Sequence, residues 1–272
     1  MPRVAAIFPG QGSHATGMEE PWAASETITS GLEILGFNPF EKLEEGTRYQ
    51  QPAIFLCSVA AWREEQDAGD VVAAAGHSLG EYAALVAAEV LSFEDALPLV
   101  AERAAAMAEA GDDKPGSMIA FLGGEDSDIR ALARDLDLTV ANDNAPGQLI
   151  LSGAIDMIEK ADEVGRDSTG ARTRRLDVSG AFHSPLMGGA ADRLTAALEK
   201  ATFNEPRFPV YSNGTAAPFT DARDELAANL LRGVRWRETL LAMSSEGVDR
   251  FAEYGHGSVL SGLVKRTLGV PA

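Results

Sequence analysis

Cysteine occurs once in 272 residues, at Cys57, so no internal disulfide can form and a reducing cytoplasm is the expected setting. Cys57 lies inside the apolar run AIFLCSVAAW and reads as a small buried hydrophobe rather than a nucleophile. No apolar stretch reaches the ~18 residues that a membrane-spanning helix requires. Positive charge is scarce as well: 23 Lys and Arg stand against 41 Asp and Glu, for a net charge of −18. That balance argues against a general nucleic-acid binder, because phosphate contacts need clustered cations. Only four histidines are present, so few residues can serve as a base near neutral pH. Internal repeats and low-complexity tracts are lacking too. What remains is ordinary for a soluble globular chain, with 45% apolar and 24% charged residues. The length suits one large domain or a domain with an insertion.

The opening MPRVAAIFPGQGS has a brief apolar run ended by Pro9 and two glycines, which suits a buried strand and a loop better than a signal peptide. Helical spacing follows over 18–35, and a second helix is expected over 52–67, with Pro52 in its first turn. Residues 71–75 form a short apolar run ending in Gly76, which fits a buried strand. GEYAALVAAEVL, from Gly80, predicts a helix, and Ser92-Phe-Glu-Asp caps the next one through about 110. The middle changes rhythm. Strands are expected at 117–122, 138–142, 148–152 and 173–178, helices at 126–136 and 155–165, and a turn at Asp143–Gly147. That order, βαββαβ, is the ferredoxin-like pattern. Helices over 185–201, 221–231 and 236–246 then flank strands at 210–212 and 250–253. The expected fold is therefore α/β: a hydrolase-like parallel-sheet core from 1–115 and 180–272, carrying an inserted ferredoxin-like subdomain over 116–179.

Gly76-His-Ser78-Leu-Gly80 is a G-x-S-x-G sequence after an apolar strand and before a helix, the context of a nucleophile elbow. The pentapeptide alone is a weak signal, since serines fall between glycines by chance; the strand–turn–helix context is what gives it weight. A serine hydroxyl needs a base within hydrogen-bond reach. His77 precedes Ser78 on one backbone, and its side chain is directed away. His14 lies in the N-terminal loop, and His256 in Tyr-Gly-His-Gly suits an ordinary loop residue. His183 falls where the insertion returns to the core, a usual place for a cleft, and is the best base.

Several blocks in order resemble the malonyl-CoA:acyl carrier protein transacylases. They are FPGQGS at 8–13, QPA at 51–53, GHSLGEYAAL at 76–85, NAPGQLILSG at 144–153, AFHSPLM at 181–187, VRW at 234–236 and EYGHGSVLSGLVKR at 253–266. The resemblance spans nearly the whole chain and extends to acyltransferase domains of modular polyketide synthases. It implies Ser78 as nucleophile, His183 as base, and the backbone N–H groups of Gln11 and Leu79 as an oxyanion hole. It implies that Asn229 holds the His183 imidazole through its main-chain carbonyl, so that no aspartate completes a triad. Arg103 matches the family's grip on the substrate's free carboxylate, which a planar guanidinium can bind with two parallel hydrogen bonds. As a bare helical arginine it would read as a surface residue. Ala181-Phe182-His183 resembles the form linked to malonyl rather than methylmalonyl selection. Asn144 and Gln148 can orient water or the acyl chain, although a turn role is as economical for Asn144.

The function so implied is malonyl transfer from malonyl-CoA to the phosphopantetheine thiol of an acyl carrier protein, for fatty-acid or polyketide synthesis. No metal or redox cofactor, nucleic acid or membrane is expected, and the protein is expected to be a cytoplasmic monomer. Because both partners are anionic and the chain is acidic, local cations must act at short range. Arg166, Arg172, Arg174, Arg175, Lys265 and Arg266 are candidates, each also readable as a solvated surface arginine or lysine. Three departures stand out: His14 where the family has Gln, His256 where it has Pro, and a short, poorly matched stretch over 18–49. A serine thioesterase or acyl hydrolase uses the same dyad and is the alternative; a non-catalytic docking subunit would require a decayed site.

Overall fold

The computed structural model describes residues 2–65 and 69–270. The strands are β1 (Arg3–Phe8), β2 (Asp70–Gly76), β3 (Gly116–Leu122), β4 (Thr139–Ala145), β5 (Gln148–Ala154), β6 (Arg172–Arg175), β7 (Val210–Tyr211) and β8 (Arg250–Glu253). The helices are α1 (Glu26–Leu35), α2 (Thr47–Glu64), α3 (Gly80–Ala87), α4 (Phe93–Asp113), α5 (Asp126–Asp135), α6 (Ile155–Thr169), α7 (Gly188–Leu198), α8 (Ala222–Ala228), α9 (Trp236–Ser245) and α10 (Val259–Leu268). Two sheets result. One is parallel, in the order β7-β2-β1-β8; the other is antiparallel, in the order β4-β5-β3-β6. The second order is that of a ferredoxin-like βαββαβ unit, with both helices between its strands in sequence.

Burial explains why β1 is the spine of the parallel sheet. Val4, Ala6 and Phe8 enter the core shared with α2, α3 and α4, whereas Ala5 and Ile7 face Trp236, Leu240 and Phe251 on the other side. A parallel strand covered on both faces must be apolar throughout, and this one is. A third, separate cluster, with Phe121, Leu149, Leu151 and Ile158, fills the small unit between its sheet and helices. The two units are joined at β4: the Val234 N–H bonds Ala141 O at 2.8 Å and the Asp143 N–H bonds Val234 O at 2.9 Å. Arg237 of α9 reinforces the joint, reaching Asp126 at 2.6 Å and Asp143 at 2.7 Å.

Element boundaries depart from expectation where polar residues are buried or chain direction changes early. Helix α2 begins at Thr47, so Pro52 lies inside it rather than in its first turn. Its opening turns bury Thr47 and Gln51, which hydrophobic periodicity does not register. The expected end of that helix falls on residues 66–67, outside the described residues. The stretch 18–35 divides into a 3₁₀ turn at Glu20–Trp22 and α1. Helix α3 stops at Ala87, not Leu91, as Glu89 turns to a positive φ of 63°. The expected turn over 143–147 shrinks to Pro146-Gly147, because β4 and β5 stay paired to Ala145 and Gln148. Strand β6 ends at Arg175, three residues early, and Leu176 and Val178 leave the sheet to line a cleft. Helix α10 has no counterpart among the expected elements, although Leu260, Leu263 and Val264 are buried at helical spacing and Gly269 caps it at φ 72°.

Two glycines allow β2, α3 and β1 to meet. A Cβ on Gly76 would lie 1.8 Å from the Gly80 carbonyl carbon, and one on Gly80 would lie 2.1 Å from Phe8 O. Neither obstacle is a movable side chain. Gly80→Ala is therefore expected to lower the unfolding free energy by at least about 2 kcal/mol, measured by urea denaturation; an unchanged midpoint would show that the elbow has slack the geometry denies.

Candidate active site

Strands β1 and β2 are neighbours at the centre of the parallel sheet, and the loops at their carboxyl ends meet there. In open α/β sheets this edge is where ligands bind. After β2 the chain turns sharply: His77 donates its N–H to Phe8 O at 2.9 Å, and Gly80 returns its own to His77 O at 3.0 Å. Ser78 sits at the apex with φ 52°, a left-handed conformation that a non-glycine residue adopts only under constraint. Asn213, just after β7, supplies that constraint. Its Oδ1 accepts the Ser78 N–H at 2.6 Å and its Nδ2 donates to Gly76 O at 2.7 Å, bracketing the turn.

The Ser78 hydroxyl lies 2.8 Å from His183 Nε2. The other ring nitrogen of His183, Nδ1, lies 2.9 Å from Asn229 O and 3.0 Å from Arg232 O. Both are acceptors only, so Nδ1 carries the proton and Nε2 offers its lone pair to Ser78. His183 also has a positive φ, 57°, at the point where the chain re-enters the core. Burial, and then the nearby Arg103 charge, lower its pKa to about 4, so the imidazole is neutral at ordinary pH. A serine donating to a neutral, oriented imidazole is the arrangement that nucleophilic acyl transfer requires.

Arg103, on α4, is 3% exposed. Its Nη2 donates to Ser78 Oγ at 2.9 Å, its Nη1 donates to Gln51 Oε1, and its guanidinium carbon lies 6.0 Å from the Tyr82 ring centre. Among the described residues no carboxylate comes within ion-pair reach of it. Gln51 is fixed in turn, donating to Thr47 Oγ1 at 2.7 Å, and Thr47 donates to Gln11 Oε1 at 2.8 Å. Gln11 donates to Gln50 Oε1 at 3.0 Å, which pins the loop after β1 onto α2. The backbone N–H groups of Gln11 and of Leu79, which follows Ser78, have no acceptor among the described residues.

Gln11, Ser78 and His183 open on a cleft of about 390 Å³ between the two units, and Arg103 is not among its lining residues. Met107, Met118, Leu176, Val178 and Phe182 give it an apolar wall, and Arg174 and Asp177 are polar lining residues from the small unit's side. Ser78, His183, Gln11, Arg103, Phe182 and the Asn229 carbonyl thus converge as the sequence led one to expect. Asn144 does not reach the cleft: it lies in β4 and its Oδ1 is 2.8 Å from His77 Nε2. It is not a turn residue either. His77 is held by that contact and by the edge of Trp236, away from Ser78. Gln148 is at the surface, accepting from Arg266 at 3.0 Å. His14 lines the cleft with Nδ1 unpartnered, whereas His256 is not among the lining residues. Cys57 is buried, and burial raises its pKa further from the reactive range. Sequence reasoning gave no role to Gln51, Asn213 or Glu81; Gln51 stood in a quoted block, but nothing in its type distinguishes an orienting amide from a surface one.

A family model described as acyl transferase domain matches residues 22–270. The chain is 36% identical to the malonyl CoA-acyl carrier protein transacylase of Salmonella typhimurium, over 98% of this chain and 93% of that protein. It is 37% identical to the polyketide biosynthesis protein ThaF of Burkholderia thailandensis, over 96% of this chain but 24% of that longer protein. Among solved structures it is similar to the complex of a type II polyketide synthase acyl-carrier protein with its malonyl-transacylase, PlMCAT:AntF. The TM-score is 0.91 at 34% identity, over 98% of this chain and 93% of that one.

The lowered pKa of His183 has a kinetic consequence. A base works unprotonated, so a depressed pKa preserves its activity into acid. The rate of Ser78 acylation, followed by quenched mass spectrometry after a brief pH jump, should decline only as pH falls through about 4. A decline centred near the ordinary histidine value of 6.5 would contradict this electrostatic account.

Proposed function

The chain belongs to the acyl transferase domain family, and from that premise we propose that it moves a malonyl group from malonyl-CoA to the phosphopantetheine thiol of an acyl carrier protein. It is an acyltransferase of fatty-acid or polyketide synthesis, and its intermediate is an ester on Ser78. One observation carries the choice of acyl group: a buried guanidinium 2.9 Å from the nucleophile that has no carboxylate partner among the described residues. Burying a cation without an anion is costly, and a malonyl carboxylate arriving beside Ser78 removes the deficit.

The reaction has two symmetrical halves. His183 Nε2 takes the Ser78 proton as Oγ attacks the thioester carbonyl. Charge develops on the carbonyl oxygen, where the unpaired N–H groups of Gln11 and Leu79 stabilise it by on the order of 3 kcal/mol each. The C–S bond breaks, and His183 returns the proton to the departing CoA sulfur. In the second half the carrier-protein thiol gives its proton to His183, its sulfur attacks the ester carbonyl, and Ser78 leaves and is reprotonated. Atoms, electrons and protons balance without a metal or redox group. Arg103 binds the free carboxylate in both halves, and Phe182 is part of the apolar wall of the cleft.

The same reading makes the protein a cytoplasmic monomer acting apart from nucleic acid and membranes. In its support, no helix among the described residues is long and apolar enough to cross a membrane, and the lone cysteine is buried. Arg174 is a cation in the cleft lining, where it can meet the phosphates of an anionic substrate.

Two substitutions test the proposal. Incubation with malonyl-CoA should add one malonyl group to the protein by intact mass, and Ser78→Ala should abolish it; an adduct surviving that change removes the central claim. Steady release of malonate without carrier protein would instead identify a hydrolase. Arg103→Ala should cut the preference for malonyl- over acetyl-CoA by roughly 10- to 100-fold, as expected for charge-assisted hydrogen bonds of about 1.5–3 kcal/mol. Unchanged selectivity would place the carboxylate elsewhere.

A further inference from the structure

Behind the dyad lies a buried carboxylate that the acyl-transfer steps leave unused. Glu81, in the first turn of α3, is 3% exposed. Its Oε1 accepts the Asn213 N–H at 2.7 Å and Asn229 Nδ2 at 3.0 Å, with Oε2 at 3.2 Å from the same Nδ2. These two asparagines are the ones on which the dyad rests. Asn213 fixes the Ser78 backbone through its side chain, and the Asn229 carbonyl fixes the His183 ring. Asn213 follows β7 and Asn229 follows α8; besides one bond from Asn229 Nδ2 to Ser212 Oγ at 3.1 Å, what joins the two supports is Glu81. One carboxylate grips both.

We propose that Glu81 is a positioning residue that holds the nucleophile's support and the base's support in register across the Ser78–His183 hydrogen bond. This rests on the reading of Ser78 and His183 as nucleophile and base. A merely stabilising role accounts poorly for the burial. No Lys or Arg pairs with Glu81 among the described residues, and burial raises its pKa to about 8. An apolar side chain would serve stability at lower cost. What the carboxyl group adds is one oxygen, Oε1, that accepts from the Asn213 and the Asn229 segments at a single point. Loss of that grip lets the hydroxyl and imidazole drift, and small misplacements of reacting groups reduce rates steeply.

The test is single-turnover malonylation of Ser78 in the full chain, read by rapid quench and intact mass. Glu81→Gln keeps the shape but places an NH2 where an acceptor is needed. Its saturated rate is expected to fall about 10- to 100-fold, while the malonyl-CoA concentration giving half that rate shifts by less than about two-fold. Asn213→Ala should show the same split. The double variant should be no slower than the slower single, because both changes cut one linkage. Glu81→Asp, which keeps the carboxyl group but shortens the reach, should fall between Glu81→Gln and the unaltered chain, and it replaces Glu81→Gln if that variant does not fold. A Glu81→Gln or Glu81→Asp rate equal to the unaltered one, or losses that multiply in the double variant, would overturn the proposal. Ser78→Ala in each background separates the two readings: an adduct persisting there refutes the nucleophile and the proposal with it, whereas an adduct lost there beside an unchanged Glu81→Gln rate refutes the role of Glu81 alone.

Discussion

A buried guanidinium against a serine hydroxyl sets the terms for everything around it. Arg103 is nearly enclosed, and a charge removed from water must be compensated or it unfolds its surroundings. The protein compensates it only in part, with the Gln51 carbonyl oxygen, the Ser78 hydroxyl and the face of Tyr82. Burial lowers its pKa from the usual value, yet an arginine has ample margin to stay charged where a lysine would not. The residual deficit lies beside the reacting oxygen. A site built this way favours an acyl group that brings its own anion, which ties selectivity to the physics of burial rather than to shape alone.

The same cation fixes the state of the base. Because Arg103 and burial both disfavour a second positive charge, His183 is held neutral, and the two carbonyls at Nδ1 leave Nε2 as the proton acceptor. No aspartate is needed to choose the tautomer. An aspartate at Nδ1 would raise the imidazole pKa toward neutrality, trading an always-available base for a stronger one. Here availability is what the structure secures. Hydrogen bonds run without interruption from Gln11 through Thr47, Gln51 and Arg103 to Ser78 and His183, so the loop after β1, α2, α4, the elbow and the hinge are set by one chain of contacts.

How much of this could be read beforehand follows from which residues carry a distinctive signal. Gly76 and Gly80 around Ser78 do, because their spacing is what a strand–turn–helix demands, and β1 and β8 fall at the expected residues since their apolar runs are short and bounded. His183 was legible because only four histidines compete. Glu81 was not: in sequence it is an acidic residue in a first helical turn, the commonest place for one. Asn213 sits in an irregular segment, and Gln51 in a helix whose buried face is partly polar, so periodicity assigns them nothing. Asn144 shows the reverse error, a residue in a recognisable block that is not in the cleft lining and whose side chain holds His77. What the sequence hides is direction: the side of an element on which a polar group points is decided by packing between segments distant in the chain.

The acidity of the whole chain now has a place in this account. A net charge of −18 repels both CoA and an acidic carrier at long range, but salt shortens that field to about 8–10 Å. At the reacting serine the balance reverses, since Arg103 contacts Ser78 Oγ, and in the cleft lining Asp177 is accompanied by Arg174. A global field of the wrong sign slows encounter for every anionic ligand alike and cannot discriminate among them. Discrimination must then be made at contact, by the one buried cation that a carboxylated acyl group completes and an uncharged one leaves exposed to its own deficit.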